Sequence, residues 1–177
     1  MSDGSGNLFA VRSVLEPTGA HQLRVVKTDS QGSILAQFDF GGSGVDNAFG
    51  ATVDGLGNLV IAGSTNSPDF PLVSPLFSKT TAQAGFVVKL DGQLKGMLFS
   101  TRIGGTKGGS VASAVAIGAT GDILVGGRTS SVDFPVSGGA LPIEPLSSNQ
   151  FGSANYAFLT ERFSGWKPAR LFDINST

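Results

Sequence analysis

GSTNSPDFP at residues 63–71 returns as GRTSSVDFP at residues 127–135, so that Gly63, Thr65, Asp69, Phe70 and Pro71 are matched by Gly127, Thr129, Asp133, Phe134 and Pro135. A peptide used twice at a fixed offset of 64 residues marks an internal repeat, and a repeat decides the fold before any single residue does. The match spreads outward. Gly57-Asn58-Leu59-Val60 aligns with Gly121-Asp122-Ile123-Leu124 at the same offset, and Gly41-Gly42 aligns with Gly104-Gly105 at an offset of 63. Val25-Val26-Lys27-Thr28-Asp29 resembles Val87-Val88-Lys89-Leu90-Asp91, and Asp3-Gly4-Ser5-Gly6-Asn7-Leu8 resembles Asp54-Gly55-Leu56-Gly57-Asn58-Leu59. A weaker echo sets Ala157-Phe158-Leu159-Thr160 against Gly85-Phe86-Val87-Val88.

Within a unit, short β-rich runs alternate with turn residues at the spacing of antiparallel strands. Residues 48–53, 58–64, 85–90 and 97–103 read as four strands, and 110–117, 122–128, 156–162 and 169–174 repeat them. The turns Asp54-Gly55-Leu56-Gly57 and Asp91-Gly92-Gln93 supply the residues that tight hairpins require. No stretch sustains a helical period. Four antiparallel strands per unit is the plan of a propeller blade, and the small apolar first strands suit its innermost position. The chain therefore reads as one all-β repeat domain over 1–177: a partial blade over 1–40, a blade over 41–103 and another over 104–177. Closed propellers use about four to eight blades, so this array is expected to be part of a larger ring or to be completed by self-association. Its edge strands and an uncapped apolar blade face would invite association.

These residues resemble the bacterial β-propeller repeats of the SBBP type. The Gly41-Gly42 pair, the Asp54 to Asn58 turn, the strand ending Gly63 to Thr65 and the Ser67 to Pro71 peptide follow that pattern, and the second copy carries Gly104-Gly105, Gly121-Asp122, Gly127 to Thr129 and Ser131 to Pro135. The second copy has Gly118-Ala119-Thr120-Gly121-Asp122 where the first has an Asp-led turn, which argues against a ligand at that turn. The resemblance implies a propeller on an exported or surface protein of bacteria and no general catalytic assignment.

Composition narrows the partners. Twelve Lys and Arg against 13 Asp and Glu leave a net charge of −1, with no basic patch for nucleic acid. No segment approaches a membrane span, and the first residues do not form an export signal. The absence of cysteine excludes disulfides and thiolate metal sites. The 26 glycines and the low charged fraction, 14%, fit a turn-rich β protein.

No catalytic constellation emerges, and neither a cofactor nor a metal is expected. His21, the single histidine, reads as a solvated loop residue without a partner for acid–base work. Asp3 to Asn7 reads as a hairpin turn rather than a calcium loop. The two glycine-rich connections lack the Gly-Lys-Ser/Thr ending of phosphate-cradling loops. Asp46, Asp69, Asp122 and Asp133 are placed in loops in structural roles, with Asp69 and Asp133 expected to bond amides of their own turns. Phe70 is expected to plug the space between blades, and Pro71 to halt sheet pairing. The long loops 72–84 and 136–155 are the expected partner-facing segments, the second through Glu144, Asn149, Gln150 and Phe151, with Tyr156 just beyond. Trp166 reads as a packing residue, with a sugar platform as the alternative. The expectation is a non-catalytic structural or interaction module, secreted or on a cell surface, whose partners are adjoining blades, a protein or a carbohydrate. The alternative is a lectin-like propeller completed by oligomerisation; a hydrolase or lyase enters only because propellers host such sites in their channels.

Overall fold

The computed structural model describes residues 1–77, 80, 83–131, 133–135, 156–160 and 170–173, the last two stretches as backbone only. Its regular elements are all strands: β1 (Leu8–Leu15), β2 (His21–Thr28), β3 (Ile34–Phe40), β4 (Asp46–Val53), β5 (Leu59–Thr65), β6 (Ala84–Leu90), β7 (Met97–Ile103), β8 (Ser110–Ile117), β9 (Ile123–Thr129), β10 (Tyr156–Thr160) and β11 (Arg170–Asp173). They pair in chain order as three antiparallel meanders: β1 to β3, β4 to β7 and β8 to β11. We refer to these as the first, middle and last sheets.

The strands of the middle sheet show why the layers stack. β5 and β6 read LVIAGST and AGFVVKL, and nearly every residue is buried. Apolar runs that do not alternate with polar residues need cover on both faces. Leu59, Ile61, Phe86, Val88 and Leu90 join Phe9, Leu23, Val25 and Phe40 in the core between the first and middle sheets. Val60, Ala62 and Val87 join Ala112, Ile123 and Val125 in the core between the middle and last sheets. β-branched residues suit such pleated, fully packed surfaces.

Small residues let the sheets approach at their first strands. A Cβ at Gly50 of β4 would lie 3.1 Å from the Ala114 Cα of β8, and one at Gly85 would lie 3.0 Å from the Ala112 amide nitrogen. Both first strands carry a bulge at the same place, between Ala48 and Gly50 and between Ala112 and Ala114.

Three expectations need correcting. His21 is not in a loop: it opens β2, and its amide donates to the Gly44 carbonyl at 2.9 Å. Asp46 is also in a strand, fully buried at the start of β4. The outward side of the first sheet is only partly apolar: Leu8 and Ile34 stand exposed on it, but charge interrupts it. At the positions where the middle sheet places Gly63 and Phe86, which pair with each other, the first sheet pairs Arg12 with Arg24, and Arg24 bonds Asp39 at 2.6 Å.

Candidate functional site

The most elaborate polar arrangement is the joint between successive sheets, built by the duplicated peptide. After β5, the chain turns through Ser67-Pro68-Asp69-Phe70, closed by the Phe70 amide donating to the Ser67 carbonyl. That turn faces the Gly41-Gly42-Ser43-Gly44 connection leaving the first sheet. The Ser43 amide and hydroxyl both donate to Asp69 Oδ1, at 2.8 and 2.9 Å. The Gly44 amide donates to Ser67 Oγ at 2.9 Å, and the Val45 amide to Asn66 Oδ1 at 2.5 Å. A run of exposed amides thus finds acceptors in one short peptide, which satisfies backbone donors that leave a sheet.

The joint recurs between the middle and last sheets. The Thr106 amide and hydroxyl donate to Asp133, and the Lys107 amide donates to Asp133 Oδ1 at 3.0 Å. The Gly109 amide donates to Ser130 Oγ at 3.0 Å. Glycine is needed at the point of closest approach. A Cβ at Gly42 would strike the Asp69 carboxylate and the Ser67 Cβ, and one at Gly105 would strike Asp133 and Ser131.

The two copies differ beneath this surface. In the first, Ser67 Oγ donates to the buried Asp46 carboxylate at 3.0 Å, and that carboxylate also accepts the Gly42 amide at 2.8 Å. In the second, Ser110 stands where Asp46 would be and bonds Thr129 Oγ1 at 2.8 Å, while Ser131 Oγ turns to Asp133 at 2.6 Å. The main partners of Asp69 are therefore those of the preceding connection, 26 residues away, rather than its own turn. Asp133 likewise grips the preceding connection through Thr106 and Lys107 and adds Ser131.

Behind each carboxylate the phenylalanine enters the core. Phe70 is 3% exposed, with ring centroids 4.9 Å from Phe86 and 6.2 Å, edge-on, from Phe40. Phe134, also 3% exposed, lies in the core between the middle and last sheets. Gly63 and Thr65 are in β5; Thr65 is buried, and a Cβ at Gly63 would strike the Asn47 carbonyl and the Phe86 ring. Gly127 and Thr129 occupy the same places in β9, where Thr129 is buried.

Pro71 does not end sheet pairing. Its carbonyl accepts the Ser100 hydroxyl at 2.6 Å, and Val73 exchanges amide bonds of 3.1 and 2.9 Å with Ser100 of β7. The start of the 72–84 loop therefore covers the outer edge of the middle sheet instead of standing free. Pro135 follows Phe134 at the end of the described second copy. Glu144, Asn149, Gln150, Phe151 and Trp166 lie outside the described residues, and Tyr156 is the first residue of β10.

At the opposite end of the sheets, the hairpin turns repeat a second device. Asp54 accepts the Leu56 and Asn58 amides at 2.9 Å each and pairs with Lys89 at 2.7 Å. Asp3 accepts the Ser5 and Asn7 amides and pairs with Lys27 at 3.0 Å. Lys27 is buried, donates to the Gly92 carbonyl at 2.7 Å and lies over the Phe9 ring, which fastens the first sheet to a turn of the middle one. The third hairpin has Gly118 at the aspartate position and closes through backbone bonds from the Gly118 and Gly121 amides, with the Thr120 hydroxyl donating to the Asp122 carboxylate. This is the Asx-type use of aspartate in turns.

The carboxylates are perturbed accordingly. Burial raises the Asp54 pKa, but Lys89 and Asn58 outweigh it and hold the group at about 2. The Ser43 amide and hydroxyl lower Asp69, and the Ser131 and Thr106 hydroxyls lower Asp133 further. A carboxyl depressed in the folded state stabilises it above the ordinary value near 4, and that stability is lost as pH falls toward the folded pKa. The melting temperature is thus expected to hold down to about pH 5 and to fall between about pH 4 and 2. Asp54→Asn should flatten this acid limb; an unchanged limb in calorimetry would contradict the assignment.

Among the described residues, no group of three or more His, Asp or Glu side chains is placed to hold a metal ion. Among these residues no helix is long and apolar enough to cross a membrane. A polar cavity of about 290 Å³ opens beside the second joint, lined by Gln83, Ser110, Val111, Arg128, Thr129 and Ser130 among others. Comparison of the chain with protein-family models and with curated proteins finds no match.

Proposed function

We propose that the chain is a non-catalytic β-propeller repeat module of the SBBP type, a structural or interaction scaffold of a bacterial surface or secreted protein. The observation that carries this reading is the repeated joint. Middle sheet on first and last on middle are fastened by the same Gly-Gly connection, the same Asp clasp and the same buried phenylalanine. One stacking operation used twice is the building rule of a propeller, and the polar groups that define it serve backbone amides rather than a substrate.

A module built this way associates with adjoining blades, supplied by more of the same polypeptide or by another copy. Light scattering at micromolar concentration is expected to give a multiple of the 18.0 kDa chain mass. A monodisperse monomer with one sharp thermal transition would overturn that expectation.

The polar cavity beside the second joint favours a second reading, carbohydrate binding between blades. The exposed Arg128 lines the cavity with a guanidinium group suited to sugar hydroxyls, beside the side chain of Gln83. A glycan array separates the two: binding lost in Arg128→Ala supports the lectin, and an empty array supports the scaffold.

A further inference from the structure

We propose that the outer edge of β3 is a docking site for a short extended segment of a partner protein, one that carries an apolar side chain beside its pairing residue. The inference rests on the interaction-scaffold reading and names a surface for it.

The middle sheet supplies the precedent. Its outermost strand, β7, is covered by the segment that follows Phe70. Val73 exchanges both backbone bonds with Ser100, the Ser100 hydroxyl donates to the Pro71 carbonyl at 2.6 Å, and the Leu76 amide donates to Thr101 Oγ1 at 3.0 Å. This strap is drawn from the long connection 66–83 between β5 and β6. In the first sheet, β1 and β2 are joined by residues 16–20 alone, closed by the Gly19 amide donating to the Glu16 carbonyl at 2.9 Å. So tight a hairpin leaves no chain to lay along β3. The difference lies inside the chain and at the far end of the sheet from β1.

β3 and β7 are equivalent strands in the same register. Val26 pairs with Gln37 as Val88 pairs with Ser100, and Leu23 pairs with Phe40 as Gly85 pairs with Ile103. Ser100 turns its amide and carbonyl away from β6 to reach Val73, so Gln37 turns its own away from β2. Among the described residues nothing bonds to either group. Burial follows the same difference. Thr101 is fully buried beside the strap, whereas Phe38, at the equivalent place, is half-buried.

The edge sets the chemistry of the guest. Leu35 is left out of the pairing as a bulge, and bulges protect an edge from another sheet. Residues 36–40 run on in unbroken register, which is room for a short segment. Val73 meets Ser100 in the antiparallel sense, and a guest that does the same at Gln37 sets its preceding residue opposite Phe38, as Leu72 precedes Val73. An apolar side chain there covers the ring; a charged one would lose water without gaining a partner. The Gln37 carboxamide stands where the Ser100 hydroxyl donates to Pro71 and offers a donor of the same kind. Strand addition takes its affinity from main-chain bonds and its specificity from alternate side chains.

The test titrates the full chain with the acetylated peptide PLVSPLF, residues 71–77, while NMR follows the Gln37 and Ser100 amides. Binding is expected to protect the Gln37 amide and leave Ser100 as it was. A peptide N-methylated at its valine, and one with aspartate in place of its first leucine, should each bind at least about tenfold more weakly. Gln37→Pro removes an amide that β2 does not use, so it should abolish binding and keep the thermal transition. Should that variant fail to fold, the N-methylated peptide decides. No binding, equal binding by all three peptides, or a response at Ser100 in place of Gln37 overturns the proposal. So does Gln37 protection that rises with protein concentration in the absence of peptide, since the edge then pairs with a second copy. If light scattering finds the chain associated while the peptide fails, the scaffold reading stands and the β3 site falls; a monomer that also ignores the peptide counts against both.

Discussion

Replacing Phe70 by alanine is expected to remove about 3–5 kcal/mol of folding stability, and Phe134→Ala should cost as much, because each ring is enclosed between two sheets and leaves a cavity when truncated. The rings lie in different cores, Phe70 with Phe40 and Phe86, Phe134 with Val60, Val87 and Val125. Their losses should therefore add. Since ordinary domains are stable by only about 5–15 kcal/mol, the double variant is expected to be largely unfolded. Urea unfolding followed by fluorescence and circular dichroism checks both statements. A loss below about 1 kcal/mol in either single variant would mean that the ring is not a plug between sheets.

Asp46→Ala carries the second large effect. The fully buried carboxylate accepts the Gly42 amide and the Ser67 hydroxyl, and its removal leaves both donors stranded away from water. Buried donors that lose a charged partner cost about 1.5–3 kcal/mol each, so a total near 3 kcal/mol is expected after partial relaxation. The protein contains its own control. At the equivalent place in the last sheet, Ser110 satisfies itself on the Thr129 hydroxyl, and Thr65 stands ready to do the same. Asp46→Ser should thus lose roughly half as much as Asp46→Ala. Equal losses for the two variants would show that the carboxylate itself, and not hydrogen-bond satisfaction, is required.

The all-β class and the strand positions were legible in the residues, because period, turn chemistry and repeat all agree. Expected strands at 48–53 and 58–64 correspond to Asp46–Val53 and Leu59–Thr65, and those at 97–103 and 110–117 are met as Met97–Ile103 and Ser110–Ile117. The clasp was harder to see. Asp69 and Asp133 hold backbone amides, and an amide has no side-chain identity to align, so their partners 26 and 27 residues away left no mark in the sequence. Asp46 reads from the sequence as a structural loop residue, and its buried place in a strand is hidden for a different reason: the repeat replaces it with Ser110, so comparison of the two copies does not expose its role. The ion pairs at the hairpin ends did have a signal. Asp3 with Lys27 and Asp54 with Lys89 recur in matching units, and a search for repeated charge pairs would have joined them. The pairing of Val73 with Ser100 had none, since a proline two residues earlier reads as the end of a sheet.

These features give the duplicated peptide one task, holding each sheet to the connection that leaves the one before it. Hydrogen exchange at the Ser43 and Thr106 amides tests that task most directly, comparing the wild-type chain with Asp69→Ala and Asp133→Ala. Both amides are expected to be protected in the wild type, with Ser43 losing protection only in Asp69→Ala and Thr106 only in Asp133→Ala, while the central strand Leu59–Thr65 stays protected throughout. Ser43 and Thr106 amides that exchange freely in the wild type, or that are indifferent to both substitutions, would contradict it.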